Sequence, residues 1–271
     1  MSRTLDELGE RLFVGRTAEV YAWSDTEVVK LYQPWVSEDT ARQERASTQA
    51  ALDLGISVPE VGDIVSVDGR PGLVLEHIRG VTMMSRIESD VSRAGCFARQ
   101  LAEIHVAISS VVADSRLPEQ RVVLHTKIAR CESLTEPGRQ KALASLTQMP
   151  RGNRLCHGDF HPGNVILSGD GPVVIDWIDA SRGNPVADLA RSSILFMGHI
   201  AIAPCSSAVR CAMGLFHSTY LDICMQEMNV NRDEYAMWLP IIAAARLSEG
   251  IPEFREWLTE QADSVLSGAL S

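Results

Sequence analysis

The chain has 271 residues, of which 45% are hydrophobic, 22% charged and 6% aromatic, and a formal net charge of −10. This is the composition of an ordinary globular protein, and the length suits one two-lobed or two-domain chain. With no basic block, nucleic acid and anionic membrane are poor partners, because both need clustered Lys and Arg to displace counterions.

The opening MSRTLDELGE lacks the apolar core of a signal peptide. RLFVG, AEVYAW and EVVKLY follow as short β-rich runs separated by GRT and SDT, and predict three strands. SEDTARQERASTQAALDLG predicts a helix, with Ser37 as N-cap, Glu38 and Asp39 in the first turn and Gly55 at its close. VGDIVSV and GLVLEHI, joined through Asp68-Gly69, predict a hairpin. After Gly80 the pattern changes. Ala94, Phe97, Leu101, Ile104 and Ile108 fall at helical spacing, which predicts a long amphipathic helix over 90–110. Further helices are expected near 119–133 and 138–148, then, beyond a polar stretch, near 186–203, 207–228, 232–248 and 252–267, with Pro240 kinking the third of these four. The most apolar run, Ile194 to Pro204, is too short to span a bilayer and reads as a buried helix. The six cysteines, Cys96, Cys131, Cys156, Cys205, Cys211 and Cys224, form no CxxC pair, so reduced thiols in the cytoplasm are expected. The expected class is therefore α+β. A five-stranded antiparallel front lobe with one helix, residues 1–79, should precede a mostly helical lobe, residues 80–271.

The polar stretch, LCHGDFHPGNVILSGDGPVVIDW, carries the chemistry. Ser168-Gly169-Asp170-Gly171 is a turn-former cluster between VIL and PVVI, and Pro172 stands at the first position of the returning strand. Such a hairpin returns Asp176 close to Asn164, so Asp159, Asn164 and Asp176 should converge. Asn164 and Asp176 are hard oxygen ligands suited to Mg²⁺, which takes few protein ligands and keeps places for water and phosphate. Asp159 is then left to accept a hydroxyl proton. A catalytic Asp, an Asn five residues later and a second Asp after a short hairpin are the grammar of phosphoryl transfer. Such chemistry also needs a lysine for the nucleotide phosphates. The chain has three, Lys30, Lys127 and Lys141, and Lys30 lies in the third predicted strand. On the following helix, Ala41, Glu44, Thr48 and Ala51 share one stripe, which sets Glu44 on the face that packs on the sheet. An unpaired carboxylate there would be costly, and Lys30 is its natural partner. Gly15, in VGRTAEVY, would form the turn over the phosphates.

HGDFHPGN, followed by VVIDW and NPVADLAR, resembles the aminoglycoside phosphotransferase family, which is similar to choline kinases and shares the protein-kinase-like fold. The likeness runs from GRTAEVYAW to the last helices. It implies Asp159 as the catalytic residue with His157 supporting its loop, and Asn164 and Asp176 on magnesium. It further implies Lys30, paired with Glu44, on the phosphates of ATP or GTP, and Glu76 to Ile78 as the hinge that reads the base. Asp188 would brace the catalytic loop. Three departures stand out: one glycine in the phosphate loop, Trp177-Ile178 where protein kinases have Phe-Gly, and no Ala-Pro-Glu element. They favour a small-molecule hydroxyl acceptor over a protein. In this fold the acceptor would sit between the catalytic loop and the last helices, where residues 177–271 carry eleven Asp and Glu against six Arg and no Lys. That balance tolerates a polycation such as an aminoglycoside-like antibiotic, whose modification would confer resistance, and Asp179, Glu249 and Glu253 are candidates to contact it. An amino alcohol, a sugar and a homoserine-like metabolite are equally open as acceptors. HGDFH admits a different reading, a metal-dependent hydrolase with His157, Asp159 and His161 on zinc or iron. That reading leaves Lys30, Glu44, Asn164 and Asp176 unexplained. A nucleotide-binding pseudokinase fits less well, since the metal and catalytic carboxylates are all present.

Overall fold

The computed structural model describes residues 2–202 and 206–266. The elements of the front half run β1 (Ser2–Arg3), β2 (Arg11–Val14), β3 (Ala18–Ala22), β4 (Glu27–Tyr32), α1 (Glu38–Asp53), β5 (Val61–Val67), β6 (Arg70–Glu76) and β7 (Gly80–Thr82). Next come α2 (Met83–Ser89), α3 (Ala94–Ser110), α4 (Gln120–Ala129), α5 (Glu136–Gln148), β8 (Arg154–Cys156), β9 (Val165–Ser168), β10 (Gly171–Val174) and β11 (Ser181–Gly183). Four helices close the described chain: α6 (Pro185–Ile202), α7 (Ser207–Glu227), α8 (Arg232–Arg246) and α9 (Arg255–Leu266). These elements group into two compact units. One runs to Met83 and takes in Gly163–Asp179; the other spans Met84–Pro162 and resumes at Ala180.

In the first unit the main sheet has the order β1-β5-β6-β4-β3-β2. Strands β2 to β6 pair antiparallel, as expected, and the two-residue β1 adds a parallel edge beside β5. Asp68 and Gly69 both take positive φ, 46° and 76°, the backbone that a tight hairpin between right-twisted strands requires. Alternation along the central strand β4 puts Lys30 and Tyr32 on one face, and Lys30 lies opposite Leu73 in register. That face meets α1: Ala18, Tyr32, Ala41 and Leu73 form a buried cluster with Val61, Ile64, Leu75 and Ile178 packed against it. Alanines on the buried stripe of α1 let the helix approach closely. A second sheet, β10-β9-β7, carries the hairpin of residues 165–174.

The second unit is helical. Ala94, Phe97, Ala98, Leu101, Ala102, His105 and Ile108 form the buried face of α3, against which α7 packs. Helix α6 is buried on all sides from Val186 to Ile194, which suits a central helix, and α8 packs on it. Toward its end α6 emerges, with Ile202 exposed, so the run read as buried is buried only in its first half; Pro204 lies outside the described residues. β8 and β11 pair antiparallel, Cys156 opposite Ser181. Helix α3 starts at Ala94 because Asp90 caps a short 3-10 turn over Val91–Arg93, and Pro240 stands inside α8. Cys96, Cys131, Cys156, Cys211 and Cys224 are free thiols; Cys205 lies outside the described residues. Among the described residues, no helix is long and apolar enough to cross a membrane.

Candidate active site

The first unit holds a buried ion cluster. Lys30 Nζ donates to both Glu44 oxygens, at 2.7 and 2.9 Å, and to Asp176 Oδ1 at 2.8 Å. The Tyr32 hydroxyl donates to Glu44 Oε2 from the same face of β4. The structure thus brings Lys30, Glu44 and Asp176 together. Glu44 is 1% exposed, where an unpaired charge would be prohibitive. Burial works against the Lys30 ammonium, but Glu44 and then Asp176 outweigh it and hold Lys30 protonated well above its usual value. Burial likewise pushes the Glu44 carboxyl up, with the Lys30 charge opposing it.

Asp176 reaches this cluster through the hairpin. Val165 lies opposite Val174, and Ile175 N–H donates to Asn164 O at 3.0 Å, so the backbone of Asn164 is tied to the residue before Asp176. Asp176 has φ 66°, a left-handed conformation that Asp tolerates better than most residues and that gathers at functional sites. Trp177, fully buried, anchors the turn by donating from Nε1 to Val174 O at 3.0 Å. Gln43 Nε2 donates to Ile178 O at 3.2 Å, and Asp179 follows, half-buried. Asn164 is buried.

Gly15 closes the turn between β2 and β3, its N–H donating to Ala18 O at 2.8 Å, and a Cβ there would come within 3.1 Å of Phe13 Cε1. Glu76 ends β6. Its N–H donates to Glu60 O at 2.9 Å and its Oε2 accepts from Glu60 N–H at 3.1 Å. His77 N–H donates to Thr26 O at 2.8 Å, and Ile78 follows, half-buried, in the link to β7.

In the second unit, β8 leads into His157-Gly158-Asp159. Asp188, in the first turn of α6, accepts from His157 N–H at 2.7 Å and from Gly158 N–H at 2.8 Å. His105 of α3 lies 3.2 Å from Asp188 Oδ2 and hydrogen-bonds the Tyr220 hydroxyl of α7 through its other ring nitrogen. Burial disfavours the Asp188 anion, but His105, His157 and the Gly158 N–H prevail and hold it below its ordinary value. His157 is fully buried, and its Nδ1 accepts from Asp159 N–H at 3.2 Å.

Asp159 is half-buried. Oδ1 accepts from Arg191 Nη2 at 3.1 Å, and His161 Nε2 lies 3.7 Å from Oδ2. Burial again opposes the anion; His161, Arg191 and His157 together override it and hold Asp159 well below the carboxylate range. Arg191 also donates from Nε to Gly158 O at 3.0 Å and pairs through Nη1 with Glu249 Oε1 at 2.8 Å. Glu249 Oε2 in turn lies 3.3 Å from Arg246 Nε. Glu249, expected to face an acceptor, therefore has both oxygens on arginines, while Glu253 is exposed. Arg191, Arg246, His105 and Tyr220 escape the sequence reading. For Arg191 a signal existed, a cation three residues after Asp188 in an otherwise uncharged run, ARSSILF. Among the described residues, no three His, Cys, Asp or Glu side chains are set to hold a metal ion. The first histidine of HGDFH serves the loop backbone instead.

A model of the phosphotransferase enzyme family matches residues 11–202. Comparison with curated proteins found no match. Among solved structures, the chain is similar to a thermostable mutant of aminoglycoside phosphotransferase APH(4)-Ia in ternary complex with AMP-PNP and hygromycin B. That pair shares 15% identity at a TM-score of 0.62, covering 98% of this chain and 94% of the other. A choline/ethanolamine kinase family protein from Mesorhizobium loti is 15% identical, with a TM-score of 0.57 over 96% of this chain and 86% of its own. Amicoumacin kinase hAmiN, in complex with AMP-PNP, Ca²⁺ and Ami, is 14% identical, with a TM-score of 0.59 over 98% and 90%. At these identities the likeness shows the fold, which is kinase-like and α+β.

Proposed function

The chain belongs to the phosphotransferase enzyme family, and from that premise we propose that it moves the γ-phosphoryl group of ATP or GTP to a hydroxyl of a small molecule. One observation carries the reading: the buried cluster of Lys30 with Glu44 and Asp176. One ammonium against two carboxylates leaves an excess negative charge, and a site built only for stability has no use for the second carboxylate. A nucleotide phosphate together with a divalent cation completes such a site.

Asn164 and Asp176 fit Mg²⁺, since both offer hard oxygens and Ile175 N–H ties their backbones at one end of the hairpin. When bound, the ion would neutralise charge on the phosphate oxygens. Lys30 would bind those phosphates, Glu44 would keep its ammonium in place, and Asp176 would be available to hold the metal. The Gly15 turn covers the phosphates, and Glu76 to Ile78 meet the base. Asp159, ionised at any physiological pH, orients the acceptor hydroxyl and receives its proton late, as so weak a base must in a loose transition state. His157 and Asp188 hold its loop by the backbone. Asp179 is the residue we assign to the acceptor side. The acceptor class we put first is a hydroxyl-bearing antibiotic, supported by the fold shared with proteins solved with hygromycin B and with Ami. The partners are then a nucleotide and a small acceptor in the cytoplasm, with neither nucleic acid nor membrane involved.

The test is nucleotide-dependent melting with ATP, GTP or neither, with and without Mg²⁺, on wild type and Asp176→Asn. At 100 times Kd a ligand adds about 2.7 kcal/mol, or roughly 5–10 °C for a chain of this size. The expected shift requires Mg²⁺ and disappears in the variant, after which ADP or GDP release is screened against hydroxylated antibiotics. No shift with either nucleotide, but stabilisation by Zn²⁺ or Fe²⁺ alone, would overturn the reading in favour of a metal-dependent hydrolase.

A further inference from the structure

Asp159 stands at the end of four alternating charges: Asp159, Arg191, Glu249 and Arg246. Both arginines are buried, and Arg246 is further seated by donating from Nη1 to Ile194 O at 3.3 Å and by lying 4.7 Å over the Phe254 ring. The packing of α6 does not ask for an arginine at 191. Its neighbours Ala190, Ser192, Ser193 and Ile194 are small or apolar and buried, and an apolar side chain would fill the place with no desolvation cost. What the arginine adds is its fork.

Three nitrogens of the guanidinium have three different partners. Nε takes the Gly158 carbonyl at 3.0 Å, Nη2 takes Asp159 Oδ1 at 3.1 Å, and Nη1 takes Glu249 Oε1 at 2.8 Å. Two of these partners are consecutive residues of the catalytic loop, so one rigid plane fixes the loop backbone and the carboxylate together. Asp188, three residues earlier on α6, holds the N–H groups of His157 and Gly158. The first turns of one helix therefore grip the loop by its donors and by its acceptor. Lysine could supply the charge at 191 but not the planar fork.

We propose that Arg191 is the positioning residue for Asp159, and that Glu249, backed by Arg246, is the seat that holds Arg191 in place. The inference rests on the phosphotransfer reading of Asp159. It gives Glu249 a supporting role rather than contact with the acceptor. It also explains why a half-buried carboxylate is tied to a buried cation: the aim of Asp159 is set before the acceptor arrives, and misplacing a reacting group by 1 Å can cost about 100-fold in rate.

The test compares wild type, Arg191→Met, Arg191→Lys, Glu249→Gln and Asp159→Asn. Mg-ATP binding is followed by melting shift, and ADP release is followed with water and with hygromycin B as acceptors. The nucleotide shift and nucleotide KM should stay within about twofold of wild type in the Arg191 and Glu249 variants. Over the same series kcat should fall roughly 10- to 100-fold in Arg191→Met and less in Arg191→Lys and Glu249→Gln. Adding Arg191→Met to Asp159→Asn should lower kcat no further. Full kcat in Arg191→Met beside an inactive Asp159→Asn would overturn the inference and leave the phosphotransfer reading standing. A wild type with neither nucleotide shift nor ADP release would overturn both. If Arg191→Met does not fold, full kcat in Arg191→Lys is the overturning result. One arm is independent of turnover: melting temperatures of Asp159→Asn, Arg191→Lys and their combination should be non-additive, and additivity within about one degree would overturn the pairing itself.

Discussion

Replacing Glu44 by glutamine preserves shape and removes one charge from the most enclosed ion pair of the first unit. Lys30 Nζ would lose its two short bonds to the carboxylate, 2.7 and 2.9 Å, and the Tyr32 hydroxyl its anionic acceptor. Removing one partner of a buried pair costs about 3–5 kcal/mol, because the other charge is left desolvated. Here Lys30 keeps Asp176 at 2.8 Å. That second carboxylate offsets part of the loss, which leaves about 2–3 kcal/mol, or a fall in Tm of roughly 5–10 °C. The assay is urea and thermal unfolding of Glu44→Gln, Lys30→Met and the double variant. Each single variant strands a charge that the double does not, so the double should be less destabilised than the sum by about 1–3 kcal/mol. Single effects that add to within about 0.5 kcal/mol would refute the claim that Lys30 and Glu44 share one desolvated bond.

Asp188→Asn should cost about 2–4 kcal/mol in urea unfolding, since one amide oxygen cannot replace a carboxylate that accepts from His157 N–H and Gly158 N–H beside His105. Asp159 and Asp188 both titrate below the ordinary carboxylate value when folded, so the unfolded chain binds more protons in acid. Their stabilisation is present above about pH 4 and lost as pH falls below it. The urea midpoint should therefore be level from pH 7 to 5, drop below about pH 4, and drop less in Asp159→Asn. Gly80→Ala should lower stability by about 1–3 kcal/mol, because the new Cβ meets the Leu167 carbonyl and lies 2.9 Å from Ile166 Cγ2 where β7 pairs with β9. Gly95→Ala in α3, with nothing within 4 Å of its Cβ, is the control, and should be neutral or stabilising by up to about 1 kcal/mol in the same melts.

The parts of this architecture visible in the sequence are those with a period or a turn signal. The stripe Ala41, Glu44, Thr48 and Ala51 is buried along its whole length, because helical spacing forces those positions onto one face. Strand alternation likewise sets Lys30 and Tyr32 toward that stripe. Asp68-Gly69 and the Ser168–Gly171 cluster mark hairpins by residue type alone. What escaped has neither signal. β1, β7, β8 and β11 are two or three residues long, shorter than any periodic window, and exist because a neighbouring strand supplies their bonds. The Lys30–Asp176 bond joins residues 146 apart, and the hairpin is brought into the first unit by the pairing of β9 with β7 and by the Val174 N–H bond to Ser57 O, neither of which has a sequence signal.

Charges that pair with one another leave a count together. Eleven acidic residues against six arginines suggest room for a polycation, and Glu249 comes out of that count along with Arg191 and Arg246. A linear tally treats each charge as independent, whereas burial forces charges to be counted in clusters. Counted that way, the two units share one rule. In each a cation is held between two carboxylates: Lys30 by Glu44 and Asp176, and Arg191 by Asp159 and Glu249, the last of which also pairs with Arg246. In each, one carboxylate side chain is more enclosed, Glu44 at 2% and Glu249 at 18% exposure, and the other more open, Asp176 at 35% and Asp159 at 26%. An enclosed carboxylate can do little but fix the cation. The cation then fixes the open carboxylate, and in both units that is the residue to which the proposed chemistry falls.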